Sequence, residues 1–127
     1  MGTIFHFYGG EYARKIDLSA WGGFTDLTLP VLPRLEELVL GTVGKSYTLT
    51  ELSIGTKLRM LRTLDVRNYT MLTGLDLSGC IRLESVNADG CSSLSTLTLA
   101  QGAPVRSLPL PAGFQTLSLR QLPQLER

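Results

Sequence analysis

The sequence predicts a mainly β fold: a solenoid of 11-residue half-coils paired into coils of about 22 residues, with short parallel strands and little or no helix. Three observations predict it. A unit of the form L-x-x-L-x-L followed by five turn residues recurs at a fixed short period, most clearly from Leu61, Leu72, Leu83 and Leu94. Within the unit, the fourth, fifth and sixth positions alternate apolar, polar, apolar, which is strand period with two side chains in and one out. Between units stand turn pairs such as Ser-Gly, Asp-Gly and Gln-Gly, and no window shows a helical 3.6-residue pattern.

The units can be placed in order along the chain. They start at Gly2, Ala13, Phe24, Leu35, Leu49, Leu61, Leu72, Leu83, Leu94, Val105, Phe114 and Leu125. Most steps are 11 residues, with 14 after Leu35, 12 after Leu49 and 9 after Val105. The fourth positions run Phe5, Ile16, Leu27, Leu38, Leu52, Leu64, Leu75, Val86, Leu97, Leu108 and Leu117. The sixth run Phe7, Leu18, Leu29, Leu40, Ile54, Val66, Leu77, Ala88, Leu99, Leu110 and Leu119. Filling every such slot with an apolar residue by chance has odds on the order of one in 10⁸, so the period is real. Stacked coils rise by about 4.8 Å each, and each coil buries its leucines only against its neighbours. The repeat covers 1–127 and reads as a single solenoid domain, either whole or a piece of a longer array.

The ninth position closes the turn. It holds Trp21, Leu32, Val43, Tyr69, Cys80, Cys91 and Leu122, with Gly10, Gly102 and Gly113 as exceptions. The segments LTGLDLSGC and LESVNADGC resemble the L-x-x-L-x-L-x-x-N/C signature of leucine-rich repeats, and the resemblance runs across essentially all 127 residues. That family commonly places Asn or Cys at the ninth position to satisfy turn backbone. Its motif is specific for fold and nearly silent on function, because the family binds every class of partner. The near-uniform half-coils, with phrases such as PVRSLPLPAGFQTLSLRQLPQLE, resemble leucine-rich proteins of gut Bacteroidetes and of their phages and prophages. The resemblance implies a protein-interaction or structural module, placed outside cells, on a cell surface or on a virion rather than in the cytoplasm.

If alternate units lie on alternate sides, the outward positions form two different ladders. On one side the second positions are Thr3, Thr25, Thr50, Thr73, Ser95 and Gln115, and the fifth are His6, Thr28, Ser53, Asp76, Thr98 and Ser118. This is a mostly neutral hydroxyl face. A flat threonine array of the ice-binding kind is interrupted here by Asp26, Glu51 and Asp76. On the other side the second positions are Arg14, Glu36, Arg62, Glu84, Arg106 and Glu126, so the sign alternates at every coil. One reading is local attraction between neighbouring coils. The other is that the end charges Arg14, Arg106 and Glu126 set register with a coil of another chain.

Composition excludes several functions. The formal net charge of +1 suggests neither nucleic acid nor a membrane surface as partner. There is no 18-residue apolar run and no leader pattern, and MGTIFH lacks the Ser or Thr that myristoylation expects. Cys80 and Cys91 sit one half-coil apart, on opposite sides of the coil, so they read as buried ladder residues rather than a disulfide. His6 is the only histidine, which leaves no zinc ligand set and no nucleophile–His arrangement. Asp65, Asp76 and Asp89 are spread over alternate units and suggest no acid–base pair. No cofactor and no catalysis are expected. Gly41, Gly44, Lys45 and Ser46 mimic part of a phosphate-binding loop, but Val39 stands where the first glycine belongs and strand, not helix, follows. Gly44, Lys45 and Ser46 read instead as the extra residues of the 14-residue unit.

Two features remain for binding. Aromatic residues gather early, and Tyr8, Tyr12 and Trp21 are either part of a cap over the first coil or a patch for stacking on sugar. The last unit begins at Leu125 and stops at LER, so the end of the solenoid calls for a further coil or a second copy, while Pro104, Pro109, Pro111 and Pro123 blunt the last strands. The expected partner is therefore a protein, or the same chain through its open ends; the alternative is a carbohydrate-binding or adhesion module.

Overall fold

The computed structural model describes residues 4–6, 12–20, 26–42, 47–54, 57–100 and 102–109. Among the described residues nine short strands alternate between two sides of a parallel β-solenoid: β1 (Ile4–His6), β2 (Lys15–Asp17), β3 (Asp26–Thr28), β4 (Glu37–Val39), β5 (Glu51–Ser53), β6 (Thr63–Asp65), β7 (Gly74–Leu77), β8 (Ser85–Asn87) and β9 (Thr96–Leu99). No helix occurs among the described residues. Even-numbered strands form one sheet in the order β2-β4-β6-β8; odd-numbered strands form a pair, β1-β3, and a triplet, β5-β7-β9. All pairings are parallel.

The registers follow the repeat residue by residue. Leucine-type fourth positions pair with each other, Ile16 with Leu38, Leu38 with Leu64, and Leu64 with Val86. On the other side Leu52 pairs with Leu75 and Leu75 with Leu97. Such pairing keeps every inward side chain over another inward one, because a one-residue slip would turn the leucines to solvent. The first, fourth and sixth positions of the even-numbered side are buried, as Leu35, Leu38 and Leu40 in one coil and Leu61, Leu64 and Val66 in the next. Each such side chain contributes about 1.5–3 kcal/mol by leaving water.

The strand proper covers positions three to five, and burial along it alternates out, in, out. A shared acceptor precedes it. The carbonyl of Glu36 accepts the amides of both Arg62 (2.8 Å) and Thr63 (3.0 Å), that of Arg62 those of Glu84 and Ser85, and that of Thr73 those of Ser95 and Thr96. Two residues opposite one is the arrangement of a bulge. It turns the second and third positions outward together.

Three half-coils among the described residues end in two successive tight turns. The amide of the ninth residue bonds to the carbonyl of the sixth, and the next unit's first amide to the carbonyl of the ninth. This holds for Val66–Tyr69–Leu72, Leu77–Cys80–Leu83 and Ala88–Cys91–Leu94. The 11-residue period is thus a short strand plus a fixed double turn.

Two irregularities have sequence causes. Among the described residues no ladder joins β3 to β5, and the long 14-residue unit supplies its extra chain in the corner that feeds β5. Beyond β8 only a single bridge, Ser85 to Ser107, continues the four-stranded sheet. The amide that this register aims at the carbonyl of Val86 belongs to residue 109, which is proline and has none to give.

Candidate functional site

The charged ladder is a chain of ion pairs on the outer surface of the four-stranded sheet. Arg62 sits between two carboxylates, with Nε donating to Glu84 Oε2 at 2.7 Å and Nη1 lying 3.5 Å from Glu36 Oε1. Arg14 reaches Glu36 at 3.9 Å. The bulge adds a parallel rung, Lys15 to Glu37 at 3.7 Å. The hydrogen bond from Arg62 holds the Glu84 carboxyl below the usual carboxylate range, with Arg106 adding its charge from the next coil. Arg62 in turn is held more firmly protonated, chiefly by that hydrogen bond. The ladder therefore neutralises itself. Glu126 lies outside the described residues.

The hydroxyl ladder is also turned inward on its own backbone. Thr50, Thr73 and Ser95 are exposed. The Thr73 hydroxyl donates to the carbonyl of Thr50 and the Ser95 hydroxyl to that of Thr73, both at 3.2 Å. Thr3 and Thr25 lie outside the described residues. So do Tyr8 and Trp21, and with them most of the early aromatic patch. Tyr12 is described, and the guanidinium of Arg34 stands 5.0 Å above its ring centroid. Gly44, Lys45 and Ser46 lie outside the described residues as well.

The fifth-position carboxylates and amides have a structural use. Asp17, Asp65, Asp76 and Asn87 each accept, through Oδ1, the amide two residues on, at 2.9–3.1 Å. These bonds start the turn where the strand stops. Ser19 supplies both its hydroxyl and its amide to Asp17 and lowers that carboxyl's pKa. Asp65 also holds Arg67, whose Nη2 lies 2.9 Å from Oδ2.

The two corners of the coil differ sharply. The corner leaving the four-stranded sheet is sealed by a buried column. Tyr47 and Tyr69 stack at 4.3 Å between centroids, nearly parallel at 8°. The Tyr47 hydroxyl donates to the carbonyl of Ser19, the Tyr69 hydroxyl to that of Leu40, and the Cys91 thiol to that of Val66. Each of these three side chains thus satisfies a carbonyl of the preceding coil. Counting residues puts Val43 in this column; Val43 lies outside the described residues, and Tyr47 stands in the column on Tyr69. Burial raises the Tyr69 phenol strongly and lifts the Cys91 thiol to about 11. Cys80 stands in the opposite corner, also buried and free, its thiol likewise raised to about 11.

That opposite corner, leaving the hydroxyl side, is apolar within and cationic without. Its inward residues are Leu32, Leu58, Cys80 and Ala103. Its outward residues include Arg34, Lys57, Arg59 and Arg82, and none of the four forms an ion pair among the described residues. Beside them stand Tyr12 (73% exposed), Val31 (62%) and Ile81 (49%), three of the four large apolar side chains most exposed in the described chain. A groove of about 340 Å³ runs between Val31, Lys57, Arg59, Met60, Ile81 and Arg82. A second, of about 450 Å³, lies against the ladder and includes Glu36 and Glu84, whose carboxylates Arg62 already holds.

Reading only the second and fifth positions misses this surface. Its signal is nonetheless in the chain: Pro33-Arg34, Arg59-Met60 and Ile81-Arg82 directly precede Leu35, Leu61 and Leu83 as the closing residues of alternate units. Among the described residues no group of three or more His, Cys, Asp or Glu gathers as a metal site would require, and no helix is long and apolar enough to cross a membrane. No protein-family model, no curated protein and no solved structure matches the chain.

Proposed function

We propose that this chain is a non-enzymatic module for protein–protein contact or structural assembly, built as a leucine-rich-repeat type of solenoid and carried on a bacterial or phage surface. The observation that carries the reading is the cationic corner. Exposed apolar side chains rimmed by polar ones mark interaction surfaces, and here they stand next to four cations that form no ion pair among the described residues. By contrast, Arg14, Glu36, Arg62 and Glu84 of the ladder are joined in ion pairs, and the Thr73 and Ser95 hydroxyls of the other face are bonded to backbone. A repeat of rigid coils holds such a surface at fixed spacing. The leucine-rich-repeat assignment is supported by the quoted signature and by the Cys91 thiol, which serves the turn as a ninth-position cysteine should. The glycan alternative has less support, because Arg34 already covers a face of the Tyr12 ring.

The test is solution mass by light scattering over a concentration series, run beside a glycan array. Assembly predicts a defined multiple of 13.9 kDa as concentration rises. A constant 13.9 kDa directs the reading to a different protein as partner. Saturable binding to a glycan by a constant monomer would overturn the reading in favour of adhesion.

A further inference from the structure

We infer that the cationic corner binds an extended, acidic segment of a partner protein that carries an apolar side chain among its carboxylates. The inference rests on the protein-contact reading and names the chemistry of the partner. Charge complementarity is the first argument. Arg34, Lys57, Arg59 and Arg82 occupy one edge of successive coils, with no carboxylate among the residues lining the groove at Val31, Met60 and Ile81. Elsewhere the chain pairs its charges coil by coil, as in Arg14–Glu36–Arg62–Glu84. Four cations gathered on one edge, none of them in an ion pair among the described residues, are what an anionic partner would neutralise.

The second argument is the groove. Ile81 and Val31 stand exposed on its walls, and Met60 is half-buried between them. Methionine adapts its shape to whatever apolar group enters. A concave apolar slot flanked by cations takes a side chain inserted from a polar backbone, which the flat surface of a bilayer does not present. Binding of single-stranded nucleic acid relies on aromatic platforms for base stacking. Here the one described aromatic on this edge, Tyr12, is stacked by Arg34. A peptide supplies both carboxylates and an apolar anchor at once.

The experiment is a fluorescence-polarisation titration of the full chain with a labelled Glu-rich peptide bearing one central leucine. Its counterparts have Gln for every Glu, or Ser for the leucine. Heparin, a single-stranded oligonucleotide and phosphatidylserine vesicles are titrated in parallel. Saturable binding of the Glu peptide is expected, weakened about tenfold or more by Arg59→Glu with Arg82→Glu, and weakened severalfold by Ile81→Ser or by loss of the peptide's leucine. These side chains are exposed, and an unchanged thermal melt shows that the variants fold. Equal binding of the Gln peptide, indifference to both arginine reversals, or binding of heparin, oligonucleotide or vesicles in place of the peptide overturns the inference. The inference also fails if the Glu peptide does not bind at all; a concentration-dependent mass in light scattering would then leave the protein-contact reading standing.

Discussion

The two corners of the coil use the same backbone and teach different lessons. Both close with the same double turn, at Val66–Tyr69–Leu72 on one side and Leu77–Cys80–Leu83 on the other. At the aromatic corner the ninth side chains are long donors that reach back to carbonyls of the coil before. At the cationic corner the inward side chains, Leu32, Leu58 and Cys80 among them, are apolar, and Arg34, Arg59 and Arg82 point to solvent. One corner spends its polar groups on holding coils together. The other turns Arg34, Arg59 and Arg82 to solvent with no ion pair among the described residues. Stability should therefore depend on the first far more than on the second.

The largest effect is expected at Tyr69. It is fully buried, stacked on Tyr47 and bonded to Leu40. Tyr69→Ala should cost about 3–5 kcal/mol, by analogy with other large aromatic truncations, measured as a shift in urea midpoint. Tyr69→Phe, which keeps the stack and leaves the Leu40 carbonyl without its donor, should cost about 1–2 kcal/mol. A double replacement of Arg59 and Arg82 by Ala at the other corner should stay within about 0.5 kcal/mol. A comparable loss at both corners would break the contrast.

Gly41 sharpens the same point through backbone alone. It is buried in the aromatic corner, and a Cβ there would run into the backbone oxygen and nitrogen of Arg67 in the next coil. Gly41→Ala should cost about 1–3 kcal/mol, since backbone cannot give way as a side-chain tip can. Gly102 in the opposite corner has open space around the same added atom, though its φ of +78° carries a strain of its own. Thermal melts of the two alanine variants compare steric overlap with backbone strain alone.

Alkaline pH probes both corners at once. Burial raises Cys80 and Cys91 from 9.0 to about 11, so the folded state prefers both thiols neutral. Their contribution is complete below the ordinary thiol value and is lost as pH rises through about 11. Stability measured by urea should fall progressively over that window, with Tyr69 acting in the same direction. A Cys80→Ala, Cys91→Ala double variant should flatten the early part of the fall. An unchanged slope would assign the titration to other groups.

The smallest effect is expected in the ladder. Glu84→Gln removes one exposed partner of Arg62 and should cost about 0.2–1 kcal/mol, less in high salt. Because its folded value is lowered, the contribution of Glu84 is present at neutral pH and disappears as pH falls through the carboxylate range. Equal urea midpoints for wild type and variant at low salt would show that the ladder adds nothing to stability.

Much of this was legible in the chain because a solenoid is a local rule repeated. Leu38, Leu64 and Val86 pair as the fourth positions predict, since each coil has only its two neighbours to choose from. The alternation of Arg14, Glu36, Arg62 and Glu84 became ion pairs for the same reason. Where the rule is interrupted, reading failed. Tyr47 stands in the buried column although counting by eleven does not reach it, because inserted residues cannot be located by counting. The cationic corner escaped notice because only the second and fifth positions were read as outward, whereas Arg34, Arg59 and Arg82 all stand at the eleventh position of their units.

By itself the sequence determined the coil length, the parallel register, the inward leucines and the character of the two faces, all of which follow from apolar period and from contacts between adjacent coils. Only the tertiary structure decided which side chains have partners. It set Tyr47 on Tyr69, spent the Thr73 and Ser95 hydroxyls on backbone carbonyls, bound the ladder into pairs and left Arg59 and Arg82 beside exposed Ile81. The physical reason is range. Burial is a property of each position in the repeat, whereas pairing depends on the few ångströms between side chains that stacking and corner geometry bring together.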